Sequence, residues 1–307
     1  MTVWTRVLAA ASGSLLIGCG AAGPAADAPP GTTLDRGTVD GPVPPAPPSP
    51  LPSGFNLPGP DDSAPPPAAP SPPATGRVIW ATAGTRLLAL TSDAPSMVDA
   101  HDVTGLAQGE QLVGLDFRKN GMLYAVGTTS RLFSLAPAAA TATAVSSAPF
   151  AEPLDGTAFG FGFDPISDLA RVTSNTSENI RIEAETGTVT NVDGPLHYAA
   201  GDANASSVPR VSAVAYAADG VGYAIDAKTG SLARISDSYS GELQTIGTLG
   251  VSASDVGGFD IAGKDAFAAL RSGTITSLYA VDLATGKAVA MGKIGDGGPV
   301  TGLAIQP

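Results

Sequence analysis

The chain has 307 residues, with 16 lysines and arginines against 28 aspartates and glutamates and a formal net charge of −12. A surface built to neutralise phosphates shows the opposite balance, so no nucleic-acid partner is expected, nor adhesion of the folded part to anionic lipid. With 1 cysteine and 2 histidines, neither an internal disulfide nor a Cys/His metal cluster can be assembled.

Residues 1–18 have the layout of a secretory signal peptide: a short head with Arg6 as its only charge, the uncharged stretch VLAAASGSLLIG, then Cys19. The apolar run from Val7 to Gly18 falls well short of the roughly 20 residues that cross a bilayer as a helix. It reads as an export signal, not a permanent span. Leu16, Ile17, Gly18 and Cys19 resemble the lipobox of bacterial lipoproteins. The resemblance implies diacylglycerol on the Cys19 thiol, cleavage before it and a further acyl chain on the new N-terminus. A single acyl chain holds only marginally and reversibly, whereas two or three hold firmly. A buried core cysteine behind an ordinary signal peptide is the alternative. Gly20 occupies the place where aspartate usually marks inner-membrane retention in Gram-negative lipoproteins. The expected location is therefore the cell envelope, and the outer membrane in a Gram-negative cell.

Residues 19–76 hold 18 of the 27 prolines, mixed with Ala, Gly and Ser. Such a composition cannot build a core. Runs such as PVPPAPPSPLP favour polyproline II at about 3.1 Å per residue, so the segment is expected to be a disordered but semi-rigid stalk, or else a simple tail without a spacing role.

Residues 77–307 form the expected folded domain. Short apolar runs alternate with Gly, Asn, Asp, Ser and Thr, and no 3.6-residue periodicity of a long helix is present. Four strand types repeat. VIWATA, MLYAVG, LARVTS, VGYAID and AFAALR are followed by LLALT, LFSLA, NIRIE, LARIS and LYAVD. The turns AETG, SYSG and ATG then lead, in the last three copies, to an outer strand, with glycine free to take positive φ. LVGLDF, AFGFGFD, VSAVAY and VGGFDI precede four of the units, and the fifth example, TGLAIQP, ends the chain. Four antiparallel strands repeated at roughly 45-residue intervals predict an all-β, five-bladed β-propeller closed by pairing of the N- and C-terminal strands. A β-sandwich or barrel would use similar strands but leaves the matched ends unexplained.

The segments LVGLDFRKNGMLYAVGTTSRLFSL, FGFGFDPISDLARVTSNTSENIRIEAETGTV, LHYAAGDANASSVPRVSAVAY and PVTGLAIQP resemble a bacterial family, the domain of unknown function numbered 4394. The most specific block runs from Arg171 through Ser174 and Asn175 to Asn179 and Arg181. The resemblance implies an exported, propeller-like architecture and no particular chemistry.

Asp116, Asp164 and Asp260 recur at the ends of the first strands and are candidates to converge at the channel on a cation or a sugar hydroxyl. Capping of backbone N–H groups in the following turn is the competing role, and the sequence puts Tyr216 and Ile305 at the corresponding places of two blades. The insertion PLHYAAGDANASSVPR carries His197, Asp202 and Asn204, and Asn175 with Asn179 is expected on a neighbouring loop. Together they suggest a recognition surface or a loop that caps the channel. His101 is expected to be structural. No GxSxG, HExxH, P-loop or Rossmann motif is present. These features predict a lipid-anchored envelope protein whose propeller is a non-catalytic binding or interaction module. Its expected contacts are the membrane, through acyl chains, and an envelope protein or glycan. A carbohydrate-active hydrolase using channel carboxylates, and a domain stabilised by a cation such as Ca2+, are the alternatives.

Overall fold

The protein is described from a computed structural model over residues 76–307. The expected signal peptide, Cys19 and all but the last residue of the expected stalk lie outside the described residues.

Five sheets follow one another along the chain. Blade 1 contains β1 (Val78–Ala83), β2 (Arg86–Thr91) and β3 (Asp99–Asp102). Blade 2 is β4 (Leu112–Phe117), β5 (Leu123–Gly127), β6 (Arg131–Ala136) and β7 (Thr141–Ala144); blade 3 is β8 (Phe159–Phe163), β9 (Leu169–Ser174), β10 (Asn179–Glu183) and β11 (Val189–Val192). After the short strand β12 (His197–Tyr198), blade 4 is β13 (Val211–Tyr216), β14 (Gly222–Asp226), β15 (Ser231–Asp237) and β16 (Glu242–Thr248). Blade 5 is β17 (Asp255–Ala262), β18 (Asp265–Ser272), β19 (Ile275–Val281) and β20 (Ala288–Lys293), and the chain ends in β21 (Gly302–Ile305).

β21 pairs antiparallel with β1, Ile305 opposite Ile79 and Gly302 opposite Thr82, and so becomes the inner strand of blade 1. Each of the five inner strands, β21, β4, β8, β13 and β17, touches those of both neighbouring blades, and the ring is closed. Closure leaves the inner edges of the sheets facing one another and removes the open edge that invites aggregation.

Glycine makes the closeness of the inner strands possible. A Cβ on Gly302 would stand 2.8 Å from the Leu115 nitrogen, and one on Gly258, whose φ is +154°, would stand 2.5 Å from the Leu303 nitrogen. This is what the glycines in LVGLDF, FGFGF, VGGFD and TGL do.

Four of the five blade interfaces are apolar. Ile79, Leu88 and Leu303 pack on Phe267 and Leu278 between blades 1 and 5, for example, and Val126 and Leu132 pack on Phe161 and Ile180 between blades 2 and 3. Between blades 3 and 4 the cement is polar. Arg171 of β9 donates to Tyr216 of β13, to Asn179, to an oxygen of Asp193 at 3.1 Å and to the Ser238 carbonyl at 3.3 Å. Asp193 also receives a two-pronged grip from Arg181, at 2.7 and 2.8 Å, and the Arg181 guanidinium stacks over the Tyr239 ring at 4.4 Å.

Candidate functional site

The site is built where the inner strands end at one mouth of the channel. Backbone pairing fixes which residues are equivalent: the N–H groups of Arg118, Asp164, Ala217 and Gln306 each donate to the residue that opens the facing second strand. One position earlier stand Phe117, Phe163, Tyr216, Ile261 and Ile305, one from each blade, and all five line a cavity of about 370 Å³. One position earlier again stand Asp116, Gly162, Ala215, Asp260 and Ala304. An inner strand has no ladder partner on its channel side, so every second N–H there must find another acceptor.

Two aspartates supply four of those acceptors. Asp116 accepts from its own neighbour Phe117 through Oδ1 and from Phe163 of the next blade through Oδ2, both at 2.7 Å. Asp260 accepts from Ile261 through Oδ1 and from Ile305 of the neighbouring blade through Oδ2, both at 2.6 Å. Among the described residues no side chain accepts from the fifth such group, the N–H of Tyr216, where Ala215 replaces the carboxylate. Deeper in, around Leu115, Phe161, Val214, Phe259 and Leu303, the channel narrows to a void of about 10 Å³. That is room for about one water molecule. The cavity is therefore a blind cup with carboxylates at its floor.

Both carboxylates are buried, 8 % and 7 % exposed, and both line the cup. Burial first, and then the charge of Asp260, hold Asp116 well above the usual carboxylate range, against the pull of its two N–H donors. Burial pushes Asp260 up to about 7, with two amides and Arg77 opposing. Carboxylates that feel one another titrate as a pair, and near neutrality this pair retains a proton.

Asp164 does not belong to this set. It lies two register positions beyond Asp116, in the turn after β8, where its oxygens accept from the Ile166 N–H at 2.8 Å and the Ser167 hydroxyl at 2.7 Å. The places equivalent to Asp116 and lacking a carboxylate are Gly162, Ala215 and Ala304, which replaces the sequence-based assignment of Tyr216 and Ile305. The insertion contributes no residue to the cup. β12 runs parallel to β16, His197 opposite Glu242, and extends blade 4 by a fifth strand at its outer edge. Asp202 accepts from the Thr245 N–H and hydroxyl, both at 2.6 Å, and Asn204 donates to that hydroxyl at 2.9 Å, so both staple the loop to β16. His197 is exposed, its Nδ1 3.0 Å from the Pro195 carbonyl oxygen.

Asn175 and Asn179 belong to blade 3 and flank a turn that neighbours the insertion: Ser177 accepts from the Leu196 N–H at 3.1 Å and donates to the Pro209 carbonyl at 3.3 Å. Asn175 exchanges hydrogen bonds with the N–H and hydroxyl of Thr157 at 3.0 and 2.9 Å, and Asn179 donates to the Gly194 carbonyl at 3.0 Å within the Arg171 network. None of these five residues lines the cup. Among the described residues no group of three or more His, Cys, Asp or Glu side chains is arranged to hold a metal ion. The sequence reading missed the apolar collar. The signal available was a large apolar residue closing every inner strand, in DF, GF, AY, DI and AI.

Fold and site together define a five-bladed β-propeller with a blind, carboxylate-floored cup at one channel mouth. The family model described as "Domain of unknown function (DUF4394)" matches residues 86–304, and the chain belongs to that family. No curated protein matches. Among solved structures, one chain of a nidogen/laminin complex has a TM-score of 0.46 at 10% identity, covering 76% of this chain and 99% of that one. A Bacteroides thetaiotaomicron VPI-5482 protein of unknown function has a TM-score of 0.45 at 15% identity over 70% of this chain and 57% of that one. The virginiamycin B lyase of Staphylococcus aureus has a TM-score of 0.41 at 12% identity, covering 71% of this chain and 70% of that one.

Proposed function

We propose that this protein is a lipid-anchored component of the cell envelope that presents its propeller as a non-catalytic binding module, with the cup as its recognition site. The observation that carries this reading is the fixing of Asp116 and Asp260. Each has both oxygens tied to backbone N–H groups of two different blades. Groups held in this way are preorganised for recognition, and the hydrogen bonds that aim them also prevent them from swinging toward a reacting atom. The partner is an envelope protein or glycan component that reaches the mouth of the channel. Acylation at Cys19 supplies the anchor and the proline-rich segment the reach.

The raised pKa values of the two carboxylates are what favour the second reading, a hydrolase with a general acid in the cup. Incubation of the full-length protein with aryl glycosides separates the two. The binding reading expects no release of the aryl alcohol above that seen with Asp116→Asn, and turnover that this variant loses would refute it. Replacing Cys19 by Ala is expected to move the protein from the membrane fraction to the soluble one, and persistent membrane association would refute the anchor.

A further inference from the structure

The charges around the cup do not balance, and the imbalance specifies a ligand. Asp116 and Asp260 are hydrogen-bonded by backbone amides alone. The two cations at the rim are already engaged by carboxylates outside the cup: Arg77 with Asp265 at 3.5 Å and Lys119 with Asp168 at 3.6 Å. An ionised carboxylate offers about four lone-pair directions, and the amides occupy two on each aspartate. Both aspartates line the cavity, so a group in the cup can reach what remains. Above them the collar offers Phe117, Phe163 and Tyr216 on one side and Ile261 and Ile305 on the other.

We propose that the cup binds a small organic cation, an ammonium group carried on an aromatic or aliphatic body, with Asp116 and Asp260 as its counter-charges. This rests on the reading of the cup as a binding site. The ammonium donates to the free lone pairs of the two aspartates and supplies the positive charge that the floor lacks. Its apolar body sits in the collar, where aromatic side chains also favour a nearby cation. A net charge of −12 concentrates cations around the whole molecule and favours their entry. The titratable and charged groups facing the pair are Arg77 and Lys119 at the rim and Tyr216 from blade 4. Neither histidine lines the cup. Because the ligand pairs with the ionised carboxylates, its binding releases the proton that the pair retains and strengthens as pH rises through about 7.

The test titrates the full-length protein with phenethylammonium, with its neutral counterpart 2-phenylethanol and with the anion phenylacetate. Calorimetry gives the affinity at pH 8 and pH 5.5, and the methyl resonances of Ile261 and Ile305 report the site. The expected result is that the ammonium binds at least tenfold more tightly than either analogue at pH 8, shifts both methyls and loses most of that advantage at pH 5.5. Asp260→Asn should abolish the preference; if that variant fails to fold, the charge series on the native protein still decides. Equal or tighter binding of the alcohol or the anion at these methyls would overturn the choice of ligand while leaving the cup a binding site. Failure of all three to move the methyls would also overturn it. Turnover of a glycoside in the cup would instead refute the binding reading itself.

Discussion

Replacing Asp193 by Asn tests whether the polar seam between blades 3 and 4 is held by charge. The side chain is 4% exposed and serves two guanidiniums, Arg171, itself 4% exposed, and Arg181 at 11%. Asn keeps the volume and one acceptor but removes the negative charge, so two arginines are left facing one another without an anion. Removing one partner from a buried ion pair costs about 3–5 kcal/mol. For a domain of this size 1 kcal/mol moves Tm by roughly 2–4 °C, so the melting temperature should fall by about 6–20 °C. Differential scanning calorimetry with urea titration as a second probe measures it. The internal control is Asp102→Asn, which removes a pair 3.9 Å long whose partners are 52% and 89% exposed; the cost there should stay below about 1 kcal/mol. If both variants lose the same small amount, the seam is not an electrostatic one and the argument for it fails.

The acid–base behaviour of the cup gives a second prediction. Asp260 binds its proton up to about 7 when folded but only to about 3.9 when unfolded. The folded state therefore holds more protons between those values, and this contribution is complete at low pH and lost as pH rises toward 7. Melting temperature from pH 4.5 to pH 8 should drift downward, and Asp260→Asn should flatten the drift. A rise through that window would show that the carboxylate is not protonated in the folded protein. Gly258→Ala places a Cβ 2.5 Å from the Leu303 nitrogen in a backbone region that only glycine enters readily. The cost from strain and overpacking is about 2–6 kcal/mol by chemical denaturation, and a neutral result would mean the inner strands are further apart than described. Asp202→Ala leaves the Thr245 N–H without its acceptor at 2.6 Å, at a cost of about 1–3 kcal/mol. Limited proteolysis should then cut first between residues 199 and 210, and unchanged cleavage there would contradict the stapling role.

The repeat was legible because its signals are local. Apolar runs of strand length, glycine turns such as AETG and SYSG, a first unit that lacks its inner strand and an orphan inner strand after the last unit are all visible without knowing any distance. Gly187 and Gly241 indeed take φ of +67° and +80°. The equivalence of the aspartates was not legible. β4, β13 and β17 each contain a register shift near their start, between Leu112 and Gly114, Val211 and Ala213, and Val256 and Gly258, whereas β8 pairs with β9 without one. Those shifts precede Gly114 and Gly258 and leave the count from glycine to aspartate unchanged; FGFGFD offers two glycines, and counting from Gly162 instead of Gly160, the true counterpart of Gly114 and Gly258, carries Asp164 into apparent alignment with Asp116 although it lies two positions beyond. The roles of Asn175 and Asn179 were hidden for a different reason: Thr157 lies 18 residues from Asn175 and Ser238 lies 59 from Asn179, so the first partner exists only once the β8–β9 hairpin is formed and the second only once blade 4 packs on blade 3.

The placement of the two carboxylates ties recognition to closure. Asp116 links blade 2 to blade 3, where an apolar cluster already joins the blades. Asp260 links blade 5 to β21, the strand whose pairing with β1 closes the ring, through the N–H of Ile305. That seam also rests on the β1–β21 ladder and on Thr301, whose N–H donates to the Thr82 carbonyl at 2.8 Å. One carboxylate of the cup is thus also a clasp of the ring. A ligand that neutralises the floor lets Asp260 stay ionised, and an ionised carboxylate is the stronger acceptor for the Ile305 amide. Occupancy of the cup and integrity of the seam therefore reinforce one another, by the same linkage through which any ligand of the folded state raises its stability.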